Sequence, residues 1–188
     1  QRGVTIFIIN KLTLRFKKKY LEKIYFNRMK METILIVDDN KDIQLLLSDL
    51  LEDEGYKTLI AGDGRSAIEF VKKSSVDVML LDVKMPGLDG IETLKRVKKV
   101  NSEMTVIMVS ASGGILDAVN AMKNGAYDYV TKPINNDDLL LTIRKAIQKI
   151  NLSKEIADLK NRLYKKTGTE LVVGESEEVT EVLSMVDI

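Results

Sequence analysis

The sequence predicts an α/β fold: a doubly wound parallel sheet of five strands with helices on both faces. Three observations carry this prediction. From Met31 onward, apolar runs of five or six residues alternate with longer amphipathic stretches, five times in series. Most of these runs are nearly uniform in apolar character, as strands covered on both faces are. Gly, Asn and Asp punctuate the junctions where helices would stop or start.

The first strand is Thr33–Val37, followed by a helix of roughly Asn40–Glu54 with Ile43, Leu46, Leu47, Leu50 and Leu51 on one face and Gly55 at its end. A short strand, Lys57–Ala61, leads through Gly62-Asp63-Gly64 to a helix near Arg65–Lys73. Strand Val76–Leu81 precedes the loop Met85-Pro86-Gly87-Leu88-Asp89-Gly90 and a helix over Ile91–Val100. Strand Met104–Val109 runs into Ser112-Gly113-Gly114 and a helix near Ile115–Asn124, stopped by Gly125. Strand Tyr127–Thr131 comes last, and Asn135-Asn136-Asp137 caps a helix from about Asp138. That helix is expected to run past Ile150. Leu152, Ile156, Leu159 and Leu163 then fall at heptad spacing, which suits either a short coiled coil with a second copy or a solvated linker helix.

Composition narrows the chemistry. The 188 residues contain no Cys and no His. A disulfide framework and a Cys/His zinc site are therefore excluded, and a reducing cytoplasm is the expected location. A metal would have to rest on oxygen ligands, which favours Mg²⁺ or Ca²⁺. No apolar run is long enough to span a bilayer, so no membrane association is expected. The net charge of +1 hides an asymmetry. Residues 1–30 hold nine Lys/Arg and one acid, while the other 158 residues hold 20 basic and 27 acidic groups. The basic leader reads as an upstream extension, since Met31-Glu32-Thr33 has the look of a natural start. A basic arm for nucleic acid or a membrane surface is the other reading. The body, 31–150, is acidic.

Four strands end in reactive polar residues: Asp38-Asp39, Asp82, Ser110 and Lys132-Pro133. Singly, each has a bland reading: a helix cap, a turn, a satisfied backbone group, a strand exit. In an open parallel sheet, however, all four C-terminal ends face one crevice. Three clustered carboxylates repel one another, and Mg²⁺ would relieve this while bridging to phosphate oxygens. A carboxylate can itself be the nucleophile toward phosphorus, with a nearby Lys neutralising charge on the transferred group. A Ser hydroxyl can donate to that group.

At these positions the chain resembles the response-regulator receiver family, over about Glu32 to Lys149. The matching stretches are Val37-Asp38-Asp39, Leu81-Asp82-Val83-Lys84-Met85-Pro86-Gly87-Leu88-Asp89-Gly90, Val109-Ser110-Ala111, and Gly125-Ala126-Tyr127-Asp128-Tyr129-Val130-Thr131-Lys132-Pro133. The resemblance implies a flavodoxin-like sheet of strand order 2-1-3-4-5. It implies Asp82 as phosphoacceptor, Asp39 as a direct Mg²⁺ ligand, Asp38 as a ligand mainly through water, and the Lys84 backbone carbonyl as a further ligand. Lys132 would pair with a phosphoryl oxygen, ahead of a cis bond to Pro133. Ser110 and Tyr129 would form the switch pair, with Ala111 the small residue beside the site. With no His of its own, the chain would take its phosphoryl group from a separate histidine kinase or phosphotransfer protein. Homodimerisation would use the face of the fourth helix, fifth strand and fifth helix, the linker helix, or both.

Beyond a linker helix over 151–168, the segment 169–188 contains Leu171-Val172-Val173-Gly174-Glu175-Ser176. It resembles the start of the AAA+ domain of sigma-54-dependent activators. No Gly-x-x-x-x-Gly-Lys-Ser/Thr loop is present, so ATP hydrolysis is not expected of this chain by that route. DNA and sigma-54 polymerase would be reached only through further domains. Two other classes share parts of the pattern. One is an aspartyl-nucleophile phosphatase or phosphotransferase, whose common form needs Asp-x-Asp after the first strand. The other is a flavodoxin-like FMN module, in which Asp38-Asp39 would repel the phosphate.

Overall fold

A computed structural model describes residues 31–111 and 114–167, with side chains through Arg162. The leader, Ser112-Gly113, the Leu163 side chain and the segment from 168 onward lie outside the described residues. Strand and helix alternate throughout: β1 (Thr33–Val37), α1 (Lys41–Asp53), β2 (Lys57–Ala61), α2 (Gly64–Lys73), β3 (Val78–Asp82), α3 (Gly90–Val100), β4 (Thr105–Ser110), α4 (Ile115–Lys123), β5 (Asp128–Thr131) and α5 (Asn136–Thr167). The chain divides between Ile147 and Gln148, inside α5, and the described part of the second unit is the helix from Gln148 to Thr167. No helix of the described residues is long and apolar enough to cross a membrane.

All strand pairs are parallel, in the order β2-β1-β3-β4-β5. The order reverses after β2, so right-handed crossovers place helices on both faces. Side chains of one parity, Leu35, Val37, Met79, Leu81, Val106 and Met108, form a core with Ala67 of α2, Leu94 and Val97 of α3 and Ala121 of α4. Ile34, Ile36, Leu80 and Ile107 point the other way and are equally buried, as are Leu47 and Leu51 of α1 and Leu139 and Ile143 of α5. Each such aliphatic side chain contributes about 1.5–3 kcal/mol on burial.

Local chemistry sets the boundaries. Asn40 caps α1, accepting from the Asp42 and Ile43 N–H groups, and Asp63 and Asp89 cap α2 and α3 in the same way. Gly55 follows α1 with φ +84°, a left-handed conformation that costs a side chain dear. Asn135 Oδ1 accepts from Asp137 and Asp138, so α5 begins at Asn136, two residues before the expected start.

α1 departs from its expected face. Leu46 is 62% exposed, whereas Ser48 is buried. At about 100° per residue, the arc through Gln44, Leu47, Ser48 and Leu51 leaves Leu46 roughly 150° from its centre. Polar bonding draws the helix round. Ser48 Oγ lies 2.8 Å from Thr58 Oγ1 of β2, and Glu52 Oε1 accepts from Thr58 at 2.6 Å. Counting apolar residues alone misses this.

Candidate functional site

The parallel register sets which residues share the C-terminal edge of the sheet. Val37 pairs with Ala61 on one side and Leu81 on the other, Asp82 with Val109, and Ser110 with Thr131. Asp82 and Ser110 are thus the closing residues of β3 and β4, one step inside the expected position. Asp38 and Lys132 are the first residues beyond β1 and β5. The Lys132 backbone N–H donates to the Ser110 carbonyl at 2.7 Å, which continues the ladder and fixes where the Lys132 side chain starts.

Lys132 joins two strand ends. Its Nζ donates to Asp38 Oδ2 at 2.8 Å and to Asp82 Oδ1 at 2.7 Å. Asp38 and Asp82 are both buried, and the Lys132 side chain is 19% exposed. Each carboxylate commits its other oxygen to the backbone two residues on: Asn40 N–H to Asp38 Oδ1 at 2.9 Å, and Lys84 N–H to Asp82 Oδ2 at 2.8 Å. Both carboxylates are therefore fixed in orientation as well as in place.

Burial pushes the Asp82 carboxyl above its ordinary value. Lys132 opposes this, the Asp38 charge adds to it, and burial prevails. Burial would lower the Lys132 ammonium, but hydrogen bonds and charge from Asp38 and Asp82 outweigh it and raise the group. The two shifts are compatible because one ammonium is shared between two carboxylates.

Asp39 is not drawn into this cluster. It is exposed, and no hydrogen bond or ion pair engages its side chain among the described residues. Nor do three or more acidic side chains of the described residues lie close enough together to enclose a metal ion. The donor chemistry still fits a hard divalent cation. Asp38 and Asp82 share a single ammonium, Asp39 stands next to them in sequence with its carboxylate uncommitted, and every available ligand is oxygen.

Ser110 is fully buried, Ala111 is exposed, and Tyr129 in β5 is half-buried against the core under α2–α4. The Lys132–Pro133 bond is cis. The loop after Asp82 is held from below. Gly90 N–H donates to the Val83 carbonyl, and Val83 N–H to the Val109 carbonyl, both at 2.9 Å. A Cβ on Gly90 would sit 2.2 Å from the Asp82 carbonyl oxygen, so only glycine admits this approach.

Two contributors escaped the sequence reading. Asn40 serves the site through its backbone as well as capping α1. Gln44 Nε2 donates to the carbonyls of Asp38 and, at 3.4 Å, Ala61. The readable signal for Gln44 was an amide at helical spacing from Leu47, Ser48 and Leu51, on the same arc of α1.

The family model for the response regulator receiver domain matches residues 34–144. A putative response regulator NtrX-like protein of Rickettsia bellii is 38% identical over 141 residues, covering 74% of this chain and 30% of its own length. The crystal structure of NtrX from Brucella abortus aligns with TM-score 0.68 and 34% identity, over 82% of this chain and 34% of that one. A CheY-like receiver domain protein from Methanospirillum hungatei aligns with TM-score 0.64 and 30% identity, over 66% of this chain and 99% of that one. The chain thus spans about a third of the length of the NtrX-type relatives.

Proposed function

Because the chain belongs to the response regulator receiver family, we propose that Asp82 accepts a phosphoryl group from a histidine kinase or phosphotransfer protein in a Mg²⁺-dependent reaction, and that this switches a sigma-54-type activator. The observation that carries the reading is the Lys132 ammonium bonded at once to Asp38 and Asp82, across 94 and 50 residues of sequence.

In this mechanism an Asp82 carboxylate oxygen attacks phosphorus. The O–P bond forms as the P–N bond to the donor's imidazole breaks, and the departing nitrogen keeps the electron pair. Asp38, Asp39, Asp82 and the Lys84 carbonyl would hold Mg²⁺, which would supply positive charge beside the phosphoryl oxygens. Lys132 releases Asp82 and pairs with a phosphoryl oxygen. Ser110 donates its hydroxyl to another, and Tyr129 turns inward beside it, Ala111 leaving room. The phosphoryl group shifts the equilibrium only by its differential stabilisation of the active form.

The output surface follows α4. Ile115 and Leu116 are 81% and 83% exposed, and Val119 and Met122 are also uncovered, as is Leu141 of α5. A second copy would cover this face. Along the linker, Leu152, Ile156 and Leu159 are exposed at heptad spacing and offer a second seam. The sigma-54 assignment rests on the NtrX-type relatives and on the segment from Leu171. In this reading DNA and polymerase would be contacted through domains other than the receiver. The location is cytoplasmic in this reading, and the module is a switch rather than a turnover enzyme.

Acetyl phosphate or a phospho-histidine donor with Mg²⁺ should label the chain with no more than one acid-stable, base-labile phosphoryl group. Asp82→Asn should abolish the label. Retained labelling of that variant, or multiple turnover on small phosphate esters, would overturn the assignment.

A further inference from the structure

We propose that Gln44 is a positioning residue that sets the backbone from which Asp39 reaches a divalent cation. The inference rests on the reading of Asp38, Asp39 and Asp82 as Mg²⁺ ligands, and concerns a residue that contacts neither the ion nor the phosphoryl group.

Gln44 lies in the second turn of α1, half-buried on the arc that faces the sheet. Its side-chain partners are two backbone carbonyls, those of Asp38 and Ala61. Two acceptors can only be met by the amide NH₂, so the orientation of the side chain is settled by its partners. The β1–β2 ladder ends at the bond from Asp38 N–H to the Ala61 carbonyl, at 3.3 Å. Gln44 adds a side-chain rung where the next backbone rung would fall.

The consequence is specific to Asp39. Fixing the Asp38 carbonyl fixes the plane of the Asp38–Asp39 peptide, because that unit is rigid. On the other side, Asn40 is held as the N-cap of α1 and through its N–H to Asp38 Oδ1. Asp39 is therefore pinned at both neighbours, while no described residue engages its carboxylate. Only its side-chain torsions are left to settle when a cation arrives. Less ordering at binding means tighter binding. Partners behind a metal ligand commonly change affinity without touching the metal.

Gln44→Met keeps length and shape and removes both donors. In calorimetric titration of Mg²⁺ into the full chain, it should weaken affinity about tenfold. A purely structural role would lower the unfolding midpoint in EDTA and leave the Mg²⁺ Kd alone, so both are measured. Gln44→Asn, which withdraws the amide by one methylene, carries the same expectation should the Met variant fail to fold. Asp39→Ala separates the two levels of the argument. If Asp39→Ala binds Mg²⁺ as wild type does, or wild type binds none, the metal-site reading fails. If Asp39→Ala loses Mg²⁺ while the Gln44 variants keep wild-type Kd, the role given to Gln44 is wrong.

Discussion

At the residue scale, the informative side chain is Asp82. It is buried, hydrogen-bonded through both oxygens, and still raised above its ordinary value, because loss of water outweighs what Lys132 returns. A carboxyl raised in the folded state favours the neutral form there. The stability this contributes is present in full below the unfolded value near 3.8 and is lost as pH rises through the folded value. Asn stays neutral at every pH and retains an acceptor oxygen, so it is not subject to that loss. Asp82→Asn should therefore gain stability relative to wild type as pH rises through the folded Asp82 value, read by urea unfolding across a pH series. The gap should close as pH falls below the Asp82 value. A gap indifferent to pH, or one that moves against the variant as pH rises, would contradict this account. Two buried acids, Asp38 and Asp82, share the one Lys132 ammonium, so a further positive charge at this edge would relieve them.

At the scale of elements, the loop after β3 depends on how closely α3 approaches it. Gly90 opens that helix, and a Cβ there would lie 2.2 Å from the Asp82 carbonyl oxygen and 2.7 Å from Val83 Cα. Those atoms are backbone and cannot swing aside. Gly90→Ala should cost about 3 kcal/mol by chemical denaturation. Gly55→Ala is the comparison, since Gly55 has φ +84° and nothing within 4 Å of an added Cβ. It should cost about 1–2 kcal/mol, from backbone conformation alone. Equal losses would mean that α3 can withdraw from the loop without penalty. α1 teaches a second lesson at this scale. Its apolar residues suggested a face including Leu46, but the bonds of Ser48 and Gln44 rotate the helix toward β2.

At the scale of the whole molecule, the strand order brings the exits of β1, β3, β4 and β5 to one edge, with the reversal between β1 and β3 opening the crevice beside Asp38 and Asp82. The exposed aliphatics of α4 lie on the same unit, and beryllofluoride with Mg²⁺, which imitate the phosphoryl group, should change the mass seen by light scattering. Leu116→Asp should suppress the dimer. An unchanged mass in both experiments would count against a dimerisation switch. Much of this architecture was legible in the sequence by itself. The apolar runs are short and nearly uniform, so burial on both faces and a parallel sheet follow from local composition, and strand ends follow from where polar residues begin. The acids, the Ser and the Lys could be named for the same reason. Tertiary structure alone decided how they meet. That Lys132 bonds Asp38 and Asp82 while Asp39 stays out in solvent depends on side-chain directions at a sheet edge. Gln44 serves the Asp38 carbonyl because α1 turns inward the arc of Gln44, Leu47, Ser48 and Leu51. Both facts come from contacts between distant segments, which one-dimensional periodicity does not encode.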